Sequence, residues 1–178
     1  HPFPDVVRGV RYWDLAATED SADRARSRAG GGPAYTAGVR MVRTARGFYC
    51  VEHILRIRKD PAGVEEAMRR MADTDGVGTE VRQEREGGSA GKLLESHMLR
   101  NVLQGFAYSG ERVTGSKAAR VAAFAAQVDG GNVYLLAGAW TEAFLEEATL
   151  FPDGPYKDQM DAAAGAYRAL ATGGVRVR

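Results

Sequence analysis

Only one cysteine, Cys50, occurs in 178 residues, so no internal disulfide can staple this chain. The amino-terminal His1-Pro2-Phe3-Pro4-Asp5 lacks the basic and apolar regions of a secretory signal, and with the single thiol this leads us to expect a reducing, cytoplasmic setting. Long apolar runs are missing too: the longest fall well short of the ~20 residues of a membrane helix, so no membrane role is expected. Nor does one sign of charge dominate. Lys+Arg 24 against Asp+Glu 23 leaves a net charge of +1, and any polyanion would have to be met by local clusters of cations. What the chain does have is the length and the 44% hydrophobic content for one domain with its own core.

Periodicity organises that domain. Val10 to Leu15 reads as a strand with a carboxylate, Asp14, at its end. Ala16 to Ala34 is polar and glycine-rich, and we read it as a mobile surface loop. Tyr35 to Thr44 and Gly47 to Arg56 follow as two strands of a meander. Asp60-Pro61 opens a helix that ends near Gly76, with Asp60 as N-cap and Pro61 at its first position. A strand from Gly78 to Glu84 then turns through Gly87-Gly88-Ser89-Ala90-Gly91 into a helix carrying Leu93, Leu94, Met98 and Leu99. A strand around Arg112 to Thr114, a helix from Lys117 to Gln127, a strand from Asn132 to Leu136, and helices over Thr141 to Leu150 and Tyr156 to Ala171 complete an order of β-β-β-α-β-α-β-α-β-α-α. We set residues 1–8 apart as linker, 9–172 as the domain and 173–178 as tail.

Four carboxylates are the candidates for chemistry. Asp14 lies in an otherwise apolar strand, Glu84 ends a later one, and Asp158 and Asp161, three apart, share a face of the last helix. Each also has a structural explanation. Asp14 can bond to backbone amides as a strand-end acid, Glu84 can pair with Arg82, Glu86 competes with Glu84, and Asp158 and Asp161 can simply complement a helix dipole. If the four converge, their mutual repulsion calls for a hard divalent cation, Mg²⁺ or Mn²⁺, and two such ions serve phosphodiester hydrolysis. His53 and His97 read as structural.

Several segments, taken in order, resemble one known family: Arg11-Tyr12-Trp13-Asp14-Leu15-Ala16-Ala17-Thr18-Glu19, Tyr35-Thr36-Ala37-Gly38-Val39, and Glu84-Arg85-Glu86-Gly87-Gly88-Ser89-Ala90-Gly91-Lys92. Val113-Thr114-Gly115-Ser116-Lys117-Ala118-Ala119-Arg120, Gly131-Asn132-Val133 and the run Phe151 to Ala162 continue the series. Together they resemble the carboxy-terminal nuclease domain of tailed-bacteriophage large terminase subunits, over about Arg11 to Leu170. The resemblance implies an α/β fold of the ribonuclease H-like type, with a mixed central sheet flanked by helices on both faces. It implies a metal-dependent endonuclease that cuts concatemeric double-stranded viral DNA with little sequence preference by a two-metal mechanism. Asp14, Glu84 and Asp158 match the family's metal-binding, catalytic acids, and Asp161 an auxiliary acid. The expected cofactors are two Mg²⁺ or Mn²⁺ ions, the second held weakly. The expected partners are DNA, an ATPase domain preceding this one, the portal protein and the small terminase subunit, in the cytoplasm of an infected bacterium.

The sequence departs from that pattern in two places. Tyr156-Lys157-Asp158 stands where relatives read His-Asp-Asp, and Ala34 stands where they often carry an acid. No Gly-x-x-x-x-Gly-Lys-Ser/Thr loop is present, so ATP hydrolysis by that mechanism belongs to residues outside this sequence. For DNA contact we single out Lys92 at a helix start, Lys117 and Arg120 after a Gly-Ser turn, and Arg24, Arg26 and Arg28 in the glycine-rich loop. Two other readings stand beside this one: a ribonuclease H-like junction resolvase or hybrid nuclease, and a catalytically weak module that docks on DNA or the portal.

Overall fold

A computed structural model describes residues 2–16, 35–85, 87–112 and 114–172. Their elements are β1 (Val6–Asp14), β2 (Thr36–Thr44), β3 (Tyr49–Ile57), α1 (Pro61–Asp75), β4 (Thr79–Arg85), α2 (Gly88–His97, continued by a π turn over Met98–Val102), β5 (Tyr108–Arg112), α3 (Lys117–Asp129), β6 (Val133–Leu135), α4 (Thr141–Leu150) and α5 (Asp158–Thr172). The strands form one sheet in the order β5-β4-β1-β2-β3-β6. The β1-β2-β3 meander is antiparallel, whereas β4, β5 and β6 join in parallel through helical crossovers. This is the mixed sheet covered by helices on both faces that the sequence led us to expect.

Alternation along β1 divides the core between the two faces. Val10 and Tyr12 pack with Ala37, Val39 and Met41 against α3, α4 and α5. Trp13 packs oppositely, with Met68 and Ala72 of α1, Val81 of β4 and the π turn after α2. Helix α5 sits close to the sheet because its buried face is built from Ala162, Ala163, Gly165, Ala166 and Ala169. A Cβ on Gly165 would come within 2.3 Å of the Tyr12 ring. On the other face Gly38 is as constrained, since a Cβ there would lie 2.7 Å from the Trp13 indole.

Two strand boundaries differ from the sequence reading. Strand β1 begins at Val6, inside the stretch set apart as linker, and Arg46 bonds back to Asp5 at 3.1 Å. Val6 and Val7 are exposed, so no buried periodicity announces them. Strand β5 covers Tyr108–Arg112 instead of starting near Arg112, because pairing with β4 overrides the weak β-propensity of Ser109, Gly110 and Glu111. Most of the loop assigned to Ala16 to Ala34, with Arg24, Arg26 and Arg28, lies outside the described residues, as do Glu86, Val113 and the tail.

Candidate active site

The parallel pairing of β1 with β4 places the first two acids together. Trp13 is opposite Gln83, so Asp14 and Glu84 each stand one residue further, at the carboxyl ends of neighbouring central strands. Asp14 shares a sheet face with Tyr12, two residues back, and Glu84 with Arg82, the partner of Tyr12. That face carries α5, whose first turn holds Asp158 and Asp161. The four acids therefore meet at one end of the sheet, and their charges are felt there. Burial above all, and then Asp161, Asp158 and Glu84, push the Asp14 carboxyl up to about 7 despite the opposing Lys117 ammonium.

Among the described residues nothing hydrogen-bonds the Asp14 carboxylate. Glu84 does not pair with Arg82, which is engaged by Glu80 and Glu111; it accepts instead from Arg120 Nη2 at 3.4 Å. Asp158 accepts the Tyr35 backbone N–H at 3.4 Å. Asp161 accepts from Lys117 Nζ at 2.8 Å. Burial works against the ammonium of Lys117, but Asp14, Asp161 and Glu84 together hold its pKa above the ordinary lysine range.

Lys117 and Arg120, expected to face DNA, thus lie among the acids as their counter-charges. The Ser116 side chain caps α3 by accepting the Ala119 N–H at 3.2 Å, which fixes Lys117 at the helix start beside β1 and α5. Lys92 is exposed on α2, the helix that follows β4. Lys157 is exposed at the entrance to α5, and its carbonyl accepts the Asp161 N–H at 2.9 Å.

Sequence reasoning missed Glu147. This residue of α4 is 5% exposed, and its carboxylate accepts the backbone N–H groups of Gln159 at 2.8 Å and Met160 at 3.0 Å. The Gln159 side-chain amide donates to its other oxygen at 2.8 Å. Glu147 so caps the amino terminus of α5 from a neighbouring helix and fixes the turn that presents Asp158. In the sequence it is the second acid of Glu146-Glu147, and nothing local sets it apart from solvated helix surface.

Whether these residues suit a metal follows from their chemistry. The donors are carboxylate oxygens from two strands and a helix, a set that favours a hard divalent cation over a soft one. Among the described residues no three acidic, histidine or cysteine side chains are already gathered on one point, since Asp161 is turned to Lys117 and Glu84 to Arg120. The charge balance and the raised Asp14 carboxyl fit a cation; the side chains have to turn from their internal partners to bind it.

Comparison with known proteins agrees with this geometry. The terminase RNase H-like domain family matches residues 11–170. This chain belongs to that family. No curated protein sequence matches it. Among solved structures it is similar to the human cytomegalovirus terminase nuclease domain: at 14% identity the TM-score is 0.66, covering 91% of this chain and 82% of that one. A manganese-soaked form of the same viral domain gives 12% identity and a TM-score of 0.65, over 92% of this chain and 82% of that one. A manganese-soaked, inhibitor-bound form gives 13% and 0.64, over 94% and 85%. At these identities the likeness establishes the ribonuclease H-like fold of a terminase nuclease domain.

Proposed function

We propose that this terminase domain is a metal-dependent endodeoxyribonuclease that hydrolyses phosphodiester bonds of double-stranded DNA during genome packaging. The observation that carries the reading is the meeting of Asp14, Glu84, Asp158 and Asp161 at the ends of β1 and β4 and the start of α5, with Asp14 pushed up to about 7. Asp14, Glu84 and Asp158 would hold Mg²⁺ or Mn²⁺, with Asp161 supporting through water or a neighbouring ligand. When bound, the ions supply the Lewis acidity that activates water toward phosphorus and offsets charge on the departing oxygen. Lys157, in place of a family acid, would leave a second ion held more weakly than the first.

The remaining tasks fall to the chain itself. Glu147 fixes the α5 turn so that Asp158 is aimed before substrate arrives. Lys117, its pKa raised by the acids, stays protonated and keeps them compatible with one another, a task a bound cation would share. In this reading the domain acts with the ATPase domain of the same protein, a portal and a small subunit, in an infected bacterial cell.

The test is cleavage of supercoiled and linear plasmid with Mg²⁺, Mn²⁺ or EDTA, beside Asp14→Asn, Glu84→Gln and Asp158→Asn. Cutting that needs metal and is lost in all three variants is the expected outcome; metal-independent cutting, or cutting retained by Asp14→Asn, overturns it. A second reading, a docking module of weak catalytic power, rests on the Lys117 and Arg120 contacts with the acids. It predicts folded, inactive wild type whose melting temperature Mn²⁺ leaves unchanged.

A further inference from the structure

Beside the acids lies a cluster of cations and aromatic rings that the reading above does not use. At the carboxyl end of β3 the Arg58 guanidinium lies 3.8 Å from the centre of the Tyr35 ring, and Arg56 lies 4.5 Å from the same ring. Tyr35 meets Tyr156 edge to face, with ring centres 5.2 Å apart, and Arg58 donates to the Tyr156 hydroxyl at 3.2 Å. Among the described residues Arg56 has a carboxylate partner, Glu147 at 3.5 Å. Arg58 has no acidic partner among the described residues and is exposed, as are Lys59 and Lys157 next to the cluster.

Such an arrangement costs something in isolation. Among the described residues two guanidiniums crowd one ring with a single paired carboxylate, which leaves a surplus of positive charge there. The rings explain how the guanidiniums are held, through cation–π contact and a fixed hydroxyl acceptor, but not what the surplus charge is for. A guanidinium held against a ring keeps its in-plane N–H donors free for a planar pair of acceptors, and its side-chain freedom is already restricted. Phosphate oxygens match those donors. The cluster is also continuous with the acids, because Tyr35 donates its backbone N–H to Asp158 at 3.4 Å and Tyr156 precedes Asp158 by two residues.

We infer that Arg58, with Arg56, on the Tyr35–Tyr156 platform, is a phosphate-binding ledge that holds the DNA backbone flanking the bond presented to the acids. This rests on the nuclease reading and adds the residues that position its substrate. Arg58 is a positioning residue: it grips a neighbouring phosphate and takes no part in bond breaking. The ledge adds a cation site to Lys117 and Arg120, which in this structure pair with Asp161 and Glu84.

The experiment is fluorescence anisotropy of a labelled duplex with the domain in EDTA, across a salt series, paired with the plasmid cleavage assay. Arg58→Ala is expected to weaken binding about tenfold at low salt and to lower the slope of log affinity against log salt by about 1, the signature of one lost phosphate contact. Arg58→Lys should keep the slope, because the charge remains, and lose part of the affinity. Tyr35→Leu should move toward Arg58→Ala. If wild type binds and cuts while Arg58→Ala keeps its affinity or its salt slope, the ledge is wrong and the nuclease reading stands. If wild type neither binds nor cuts the duplex, both fall together.

Discussion

Strand β1 buries charge on both of its faces, and the two faces treat it in opposite ways. Toward α1, Arg11 is 1% exposed and fully matched: Nη2 donates to Asp75 Oδ1 at 2.9 Å, Nε donates to the other oxygen of Asp75, and Nη1 reaches the Gly38 carbonyl at 3.1 Å. Arg40 and His53 continue the row across β2 and β3, lining a cavity of about 390 Å³ with Glu52 and Asp75. Charges there cancel. Toward α5, three residues along the same strand, Asp14 faces three more carboxylates, and Lys117 and Arg120 pair with Asp161 and Glu84 among them. A buried ion held by its full set of partners maintains a fold, whereas a cluster with surplus charge of one sign is set up for a ligand. The cavity on the α1 face is thus lined by charges that satisfy one another, while the crowded acids lie on the opposite face.

Breaking one charge on each face tests that contrast most sharply. Asp75→Ala leaves Arg11 buried without its carboxylate and should cost about 3–5 kcal/mol of unfolding free energy, read from urea denaturation. Asp14→Asn removes a charge that its neighbours oppose, so stability in EDTA should be unchanged or higher while the rise in melting temperature given by Mn²⁺ disappears. Equal losses from the two substitutions would erase the distinction between the faces.

Next come the two close approaches of helix or ring to backbone. Gly38→Ala drives a methyl into Trp13 on the α1 face, and Gly165→Ala drives one into Tyr12 beneath α5. Each overpacks a filled core and should cost about 1–3 kcal/mol. They differ in reach. Moving α5 displaces Asp158 and Asp161, so Gly165→Ala should also weaken Mn²⁺ binding by isothermal titration, whereas Gly38→Ala should leave it within error at a temperature where both remain folded.

What the sequence made legible follows the same division. The meander, the helix order and the four acids were readable because each is written locally, in alternation, in capping residues such as Asp60 and Ser116, or in motif order. Glu147 was not readable, since its partners are backbone amides twelve and thirteen residues on, in another helix. The pairing of Arg120 with Glu84, 36 residues apart, is likewise set by the crossover between β4 and α3 and by nothing near either residue. Tyr35 read as a strand start and Arg58 fell beyond the strand assigned to Gly47 to Arg56; only the pairing of β2 with β3 brings the two together.

Glu147 supplies a finer cut between fold and site. Replacing it by Gln keeps the shape but offers a neutral acceptor to the Gln159 and Met160 amides, at an expected cost of about 1 kcal/mol, the scale of a helix cap. If the cap positions Asp158, Mn²⁺ affinity should fall several-fold in titrations of the folded variant and cleavage should fall with it. A stability loss with unchanged metal affinity would make Glu147 a cap and nothing more.

The smallest expected effect belongs to the neutralised face and concerns pH. His53 is half-buried, and burial first, then the Arg11 and Arg40 guanidiniums, lower its pKa, with Asp75 opposing. The unfolded chain takes up a proton near the ordinary histidine value of about 6.5, while folded His53 stays neutral to lower pH. Between those values the unfolded state binds more protons, so stability rises with pH and is lost as pH falls below about 6.5, the loss being complete once the folded imidazole also protonates. His53→Gln removes that dependence. Its melting temperature should change less than that of wild type between pH 7 and 5, a difference measurable by calorimetry at constant ionic strength. An identical fall in both proteins would place the acid sensitivity elsewhere, and with the α1 face already balanced, the crowded carboxylates opposite would be the next place to look.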